Sequence, residues 1–340
     1  MALIALAADK GAPGVTTAAV ALAALWPRRV LLAETDPAGG DLVYRASRAD
    51  GGPLDPGTGL LSLAATARRG IAAEQLWDHS QRVAGGLDVI VGLGTSEQAA
   101  GLTGQWGTLG RAFADLAGSP HPEAAADVIA DCGRLGADSP TAALVQHATL
   151  LLVVTGAAPE HLARARDRVI ALGNKLHGGR TGPAHTGLPR LGVVLVADPQ
   201  RGHRLAGEVN EMLSGAGAPA RVVGLVADDP AGAEQLAGRR RGRLDRSLLI
   251  RSARKVVADL HRVFHAELTP AGGPGGRPPV PHPGGPTAGA PAAMPPGTGT
   301  PPPGPNPVFP PGPAAPAGGY GYPPAAGPTG PRPVEPGAGR

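Results

Sequence analysis

Across the first 270 residues, short apolar runs alternate with longer stretches in which apolar positions recur at helical spacing. The runs Ala2–Ala8, Val30–Glu34, Leu87–Val91, Asp127–Asp131, Leu150–Thr155, Leu191–Val196 and Arg221–Val226 are mostly continuous rather than alternating. Strands buried on both faces read this way. Amphipathic helices are predicted near Thr16–Leu25, Leu60–Arg69, Trp106–Leu116, Ser139–His147, Pro159–Leu176, His203–Leu213 and Ser247–Leu268. In the last of these, Leu249, Ala253, Val256, Leu260 and Val263 form a stripe at spacings of four and three, with Arg251, Arg254, Lys255 and Arg262 directed outward. Trp106 and Phe113, seven apart on one helix face, read as core. Strand and helix in alternation predict an α/β fold: a doubly wound, mainly parallel sheet with helices on both faces.

Composition sets the limits of that domain. From about Ala271 the chain is Pro, Gly, Ala and Thr, and 24 of the 39 prolines fall there. Such a segment cannot bury enough apolar surface to offset the entropy of ordering. We expect a domain over residues 1–270 and a disordered tail over 271–340, in which PPPGPNPVFPPGP serves as spacer or as a Pro-rich recognition segment. Gly178–Leu188 reads as a flexible loop.

The net charge of +4 is too small at this length to indicate a nucleic-acid binder by itself. Cys132 is the only cysteine, which excludes an internal disulfide or a cysteine-based metal cluster. Beside Asp131, and with no histidine close in sequence, it reads as a small buried residue. His261 and His265 are spaced i,i+4 but lack a third ligand, and read as an exposed helix face. No apolar run reaches membrane-spanning length, so a cytoplasmic protein is expected.

Chemistry enters at the end of the first run. KGAPGVTT, Lys10–Thr17, stands between a predicted strand and an alanine-rich helix. Loops of this layout bind phosphate because backbone N–H groups and a helix N-terminus converge on the anion, with glycines permitting the close approach. Gly11 and Gly14 supply turn positions, Thr16 fits a Mg²⁺ ligand, and Lys10 stands at the loop entrance. Val15 occupies the position where a phosphate loop normally carries its lysine. Asp36, in AETDPAGGD, and Asp131, in DVIADCG, fall at the ends of two further strands, on the edge where parallel sheets hold ligands. Both carboxylates also fit helix caps or solvated strand ends.

Taken together, these residues resemble the ParA/MinD group of P-loop ATPases with their deviant Walker A loop. KGAPGVTT aligns without a gap to a family loop reading Lys-Gly-Gly-x-Gly-Lys-Thr-Thr. Glu34-Thr-Asp36-Pro37 is similar to the family's Asp-x-Asp-Pro, DVIADCG to its Walker B strand, and VVGLVADDPAGAEQLAGR to the late strand and loop bordering the base. The resemblance implies ATP and Mg²⁺ as cofactors, with Lys10, Gly11, Gly14, Val15, Thr16 and Thr17 at the phosphates. It implies Thr16, Asp36 and Asp131 at the metal, Asp36 and Lys10 as catalytic, and a homodimer in which Lys10 reaches the partner's nucleotide. The departures are Val15 for lysine, Ala12 for glycine, Ala227 for the usual proline, and no asparagine in VLVADPQ.

Losing one charged hydrogen bond of about 1.5–3 kcal/mol weakens binding roughly 10- to 150-fold, and hydrolysis more. The loop is therefore either a weak nucleotide switch or a vestigial turn. Two functions stay open. One is a spatial organiser for chromosome partitioning or division, with Arg239, Arg240, Arg241, Arg243 and Arg246 contacting DNA phosphates. The other is a non-hydrolysing scaffold resembling the TadZ/CpaE localisers of pilus or secretion machinery.

Overall fold

The structure, a computed structural model, describes residues 2–10, 13–178 and 188–268. Gly11, Ala12, most of the segment read as a loop at Gly178–Leu188 and the segment read as a tail lie outside the described residues. The chain divides into two units, Met1–Arg277 and Pro278–Arg340, and the fold below is that of the first.

β1 (Leu3–Ala8) leads to α1 (Val15–Ala24); β2 (Val30–Glu34) follows, then the single turn α2 (Leu42–Arg45) and α3 (Leu60–Ala67). A 3-10 segment, Ala73–His79, precedes β3 (Gln81–Arg82) and β4 (Asp88–Ile90). Next come α4 (Ser96–Ala100), α5 (Trp106–Ala117), β5 (Asp127–Arg134), α6 (Ala142–Val145) and β6 (Leu150–Gly156). The remainder is α7 (Pro159–His177), β7 (Arg190–Ala197), α8 (Pro199–Gly215), β8 (Ala220–Ala227), α9 (Pro230–Leu236), α10 (Leu248–Val263) and α11 (His265–Leu268).

The eight strands form one sheet in the order β3-β4-β2-β5-β1-β6-β7-β8. All neighbours pair parallel except the short edge pair β3–β4. Strand pleating divides the apolar residues between two cores. Leu3, Ala5 and Ala7 of β1 join Leu31, Ala33, Val128 and Ala130 under α3, α5 and α7. Ile4, Leu6 and Ala8 join Leu32, Ile129 and Leu152 under α1 and α10. Continuous apolar runs are thus required because every inner strand is covered twice. Trp106 and Phe113 lie in the first core, as expected.

Differences from the predicted elements have local causes. α8 begins at Pro199, four residues before the expected start, because the Asp198 side chain accepts the Gln200 N–H at 2.9 Å and Pro199 fits the first turn. The helix expected over Ser139–His147 shortens to the single turn α6. The last helix breaks after Val263. Its stripe is buried as expected, apart from half-buried Val263, but the reading of His261 as exposed is corrected. Its ring lies 4.7 Å from that of Trp26, and its Nε2 is buried without a partner among the described residues.

The N-terminal sheet edge is tied by a buried carboxylate. Asp127 accepts from Ala2 N at 2.6 Å, Trp26 Nε1 at 2.7 Å and Arg28 Nε at 2.8 Å. A carboxylate buried there is tolerable because each oxygen is met by a donor. This closes the edge opposite the carboxyl ends of the strands. Among the described residues, no helix is long and apolar enough to cross a membrane.

Candidate functional site

β1 lies between β5 and β6, where the connections diverge: the chain leaves β1 toward β2 on one side and β6 toward β7 on the other. Open parallel sheets bind ligands at the carboxyl ends of strands around such a switch point. The KGAPGVTT segment stands there. Gly14 adopts φ 83°, a left-handed conformation open to glycine, and delivers the chain into α1 at Val15. The first turn of α1 holds no acidic residue and Gly14 gives no side-chain cap, so its amides remain available to an anion.

Val15 is only 8% exposed and packs into the apolar core under α1. Thr16 and Thr17 follow, both partly exposed. Lys10 is exposed at the loop entrance, while Asp9 before it is paired with Arg168 of α7 at 2.5 Å, fixing the end of β1.

The structure brings Thr16, Asp36 and Asp131 together. Asp131 is 1% exposed; its Oδ1 accepts from Gly133 N at 3.0 Å, whereas its Oδ2 is buried with no hydrogen-bond partner among the described residues. Burial pushes its pKa up to about 6; the Thr16 hydroxyl and the Gly133 amide favour the anion, nearby Asp36 opposes it, and Arg45 favours it. Asp36 accepts from Ala38 N at 2.8 Å. Burial raises its pKa, the Ala38 amide and Arg134 lower it, and Asp41 raises it.

Gly133, at φ 57°, lies directly beneath Asp36: a Cβ there would sit 1.9 Å from Asp36 Oδ2. Gly133→Ala is therefore expected to expel the Asp36 carboxylate and to cost about 1–2 kcal/mol for the left-handed backbone alone. A thermal melt reads the stability, and any Mg²⁺-dependent rise in melting temperature should disappear with it.

Glu34, the residue standing for the first Asp of the family motif, takes a different part. It accepts from Asp41 N at 2.8 Å, Leu42 N at 3.1 Å and Gly92 N at 2.9 Å, tying the ends of β2 and β4 to the start of α2. Burial raises its pKa to about 7 against those amides, and Asp131 adds to the rise. Cys132 is fully buried and its thiol pushed up to about 12 by burial, which leaves it unreactive.

A cavity of about 520 Å³ opens beside the loop, lined by Lys10, Pro13, Gly14 and Thr17 with the ends of β6, β7 and β8. Asp198, Asp228 and Asp229 face this cavity; the segments VLVADPQ and VVGLVADDPAGAEQLAGR that hold them were compared with the family in the sequence, but these carboxylates were not named. The available signal was the repeated Val-Ala-Asp at two strand ends, the same signal that picked out Asp36. Asp229 is partly engaged as a cap, accepting from Gly232 N at 2.9 Å and Leu249 N at 3.1 Å. Gly11 falls outside the described residues.

The arginine run lies apart, exposed after α9. Arg239 is held by Glu234 at 2.6 Å and Arg243 faces Asp245 at 3.6 Å; Arg240, Arg241 and Arg246 make no ion pair among the described residues. Two local carboxylates thus blunt the charge of the run.

No family model matches the chain, and no curated protein matches it by sequence. Solved structures do match in fold. A ParA family ATPase from Chlorobium tepidum superposes with a TM-score of 0.54 at 16% identity, covering 76% of this chain and 98% of its own. The septum site-determining protein MinD from Pyrococcus horikoshii, complexed with Mg-ADP, gives 0.54 at 14%, covering 78% and 98%. A plasmid partition protein from Borrelia burgdorferi, bound to AMPPNP, gives 0.52 at 11%, covering 77% and 99%. At these identities the likeness establishes the fold: the described domain has the architecture of ParA/MinD-type P-loop ATPases.

Proposed function

We propose that this chain is a nucleotide-dependent spatial organiser of the ParA/MinD type, cytoplasmic and homodimeric. On this reading it binds ATP and Mg²⁺ weakly, hydrolyses ATP poorly, and serves a partition, division or polar-positioning machinery through its bound state. The observation that supports this most is the meeting of Thr16, Asp36 and Asp131 at the start of α1, with one buried oxygen of Asp131 left unpartnered. A hydroxyl and two carboxylates are the oxygen donors that Mg²⁺ selects. Thr16 and Asp36 would hold the ion, with Asp131 holding one of its waters. When bound, the ion would neutralise charge on the terminal phosphates.

The remaining roles fall to the loop and the neighbouring cavity. Backbone amides of Gly14–Thr17 would cradle the phosphates, and Lys10 would contribute the loop's one cation. Carboxylates of Asp198 and Asp228 would accept from the base's exocyclic amine or the ribose. Val15 brings no charge to the oxygens on which charge builds during transfer, so turnover is slow. A second reading, a TadZ/CpaE-like scaffold that does not hydrolyse nucleotide, draws support from the burial of Val15, which turns that position over to core packing.

Calorimetric titration of the full chain with ATP and Mg²⁺ tests the proposal. Saturable binding is expected, weakened about tenfold in Lys10→Ala by loss of one charged contact. Absence of binding up to millimolar ATP would leave the scaffold reading in its place.

A further inference from the structure

A second cavity, of about 450 Å³, runs along α1 beside the nucleotide pocket, with Thr16 and Thr17 at its phosphate-loop end. Its walls are mainly apolar, with Val20, Leu42, Val83, Leu87, Leu236 and Leu244 contributed by α1, α2, the β3–β4 turn and the region of α9. The volume falls within the range of small-molecule sites. Two polar features break the apolar lining. Arg45, at the end of α2, is half-buried, and its side chain makes no hydrogen bond or ion pair among the described residues. Gln235 presents a buried Oε1 that also lacks a partner among them.

An unpaired guanidinium against apolar walls is costly unless an anion meets it. Most other half-buried cations of the domain are met: Arg28 by Asp127 and Arg168 by Asp9. Neither acidic group that senses Arg45 electrostatically pairs with it: Asp131 is buried and bonded by Gly133 N, and Glu234 is held by Arg239. The cavity therefore combines an apolar body with a single available cation and a hydrogen-bond acceptor at its wall.

We infer that this cavity is a binding site for a small amphipathic anion. The ligand's apolar body lies among Val20, Leu42, Val83, Leu87 and Leu236, and its carboxylate, sulfonate or phosphate monoester pairs with Arg45. A hydroxyl or amine on the ligand donates to Gln235 Oε1. The site is distinct from the nucleotide pocket, although Thr17 and Ala233 line both cavities and Thr16, the proposed Mg²⁺ ligand, lines this one.

Titration of the full chain with anilinonaphthalenesulfonate, followed by fluorescence, tests this. One saturable site per chain is expected, displaced by decanoate. Arg45→Ala should weaken it about tenfold or more, the value of one charge-assisted contact, while Arg45→Lys retains binding. Ala24→Trp, at an exposed wall position, should fill the cavity and abolish it. The inference is overturned by non-saturable binding, or by affinities unchanged in both Arg45→Ala and Ala24→Trp. It is equally overturned if Lys10→Ala alone removes the signal, since the probe would then occupy the nucleotide pocket.

Discussion

Asp131→Asn is expected to stabilise the protein by about 2–3 kcal/mol at pH 8, an unusual direction for a change at a buried polar group. Burial holds the Asp131 pKa near 6 in the folded state, against 3.8 for an aspartate free in water. A folded pKa above the unfolded one means that the native state keeps its proton longer than the unfolded chain. Below about pH 4 both states are protonated and the group has no effect. Between about pH 4 and 6 the unfolded state binds fewer protons, so stability falls as pH rises; above about 6 the full penalty is in place. Two pKa units correspond to roughly 3 kcal/mol.

Asparagine removes the ionisable group while retaining an oxygen for the Gly133 amide, and its NH₂ can donate to the Thr16 hydroxyl. The measurement is thermal or urea unfolding of both proteins from pH 4 to 8. Converging stabilities at pH 4 and diverging ones at pH 8 are expected, with Mg²⁺ stabilising only the wild type. Equal pH profiles would mean that Asp131 ionises freely. Glu34, also raised by burial, adds a fall in the same direction in both proteins, a smaller one in the variant because the Asp131 charge contributes to its rise, so the difference reports Asp131 together with its coupling to Glu34.

The same residues show how far the sequence could be read. The strands were legible because β1, β2, β5 and β6 are covered on both faces, which keeps their polar positions few and close to the strand ends. The candidate site edge was legible because Asp36 and Asp131 fall at or just past the ends of two of those apolar runs. β3, α2 and α4 were not: two to five residues long, they have no period of their own and are held by tertiary contacts, as α2 is by the Glu34 carboxylate. The carboxylates of Asp198, Asp228 and Asp229 were hidden for another reason. Two of the three sit at helix starts, where an aspartate is expected simply as a cap. The Arg45 cavity had no sequence signal, because its walls come from four separated segments whose apolar residues read as ordinary core.

Val15→Lys is expected to raise affinity for ATP with Mg²⁺ about 10- to 150-fold, the equivalent of one charged hydrogen bond to a phosphate oxygen. Val15 opens α1 directly after the left-handed Gly14, so its side chain departs from the turn that would hold the phosphates. A lysine there can leave its methylenes in the apolar space that Val15 now fills while its ammonium reaches outward. Without ligand the variant should be less stable by roughly 1 kcal/mol, because it forfeits core packing and places a cation at the positive end of a helix. With ligand the balance reverses, since binding to the native state alone stabilises it by mass action.

Hydrolysis should rise by a larger factor than affinity, because the lysine meets charge that grows toward the transition state. Calorimetry and a phosphate-release assay on wild type, Val15→Lys and the pair Val15→Lys with Lys10→Ala separate these effects. Tighter binding without faster release would assign the site a switching role, with the remaining catalytic groups misplaced. No gain in either would show that the loop no longer presents its amides to a phosphate, which would falsify the nucleotide reading and leave the domain as a scaffold built on an ATPase fold.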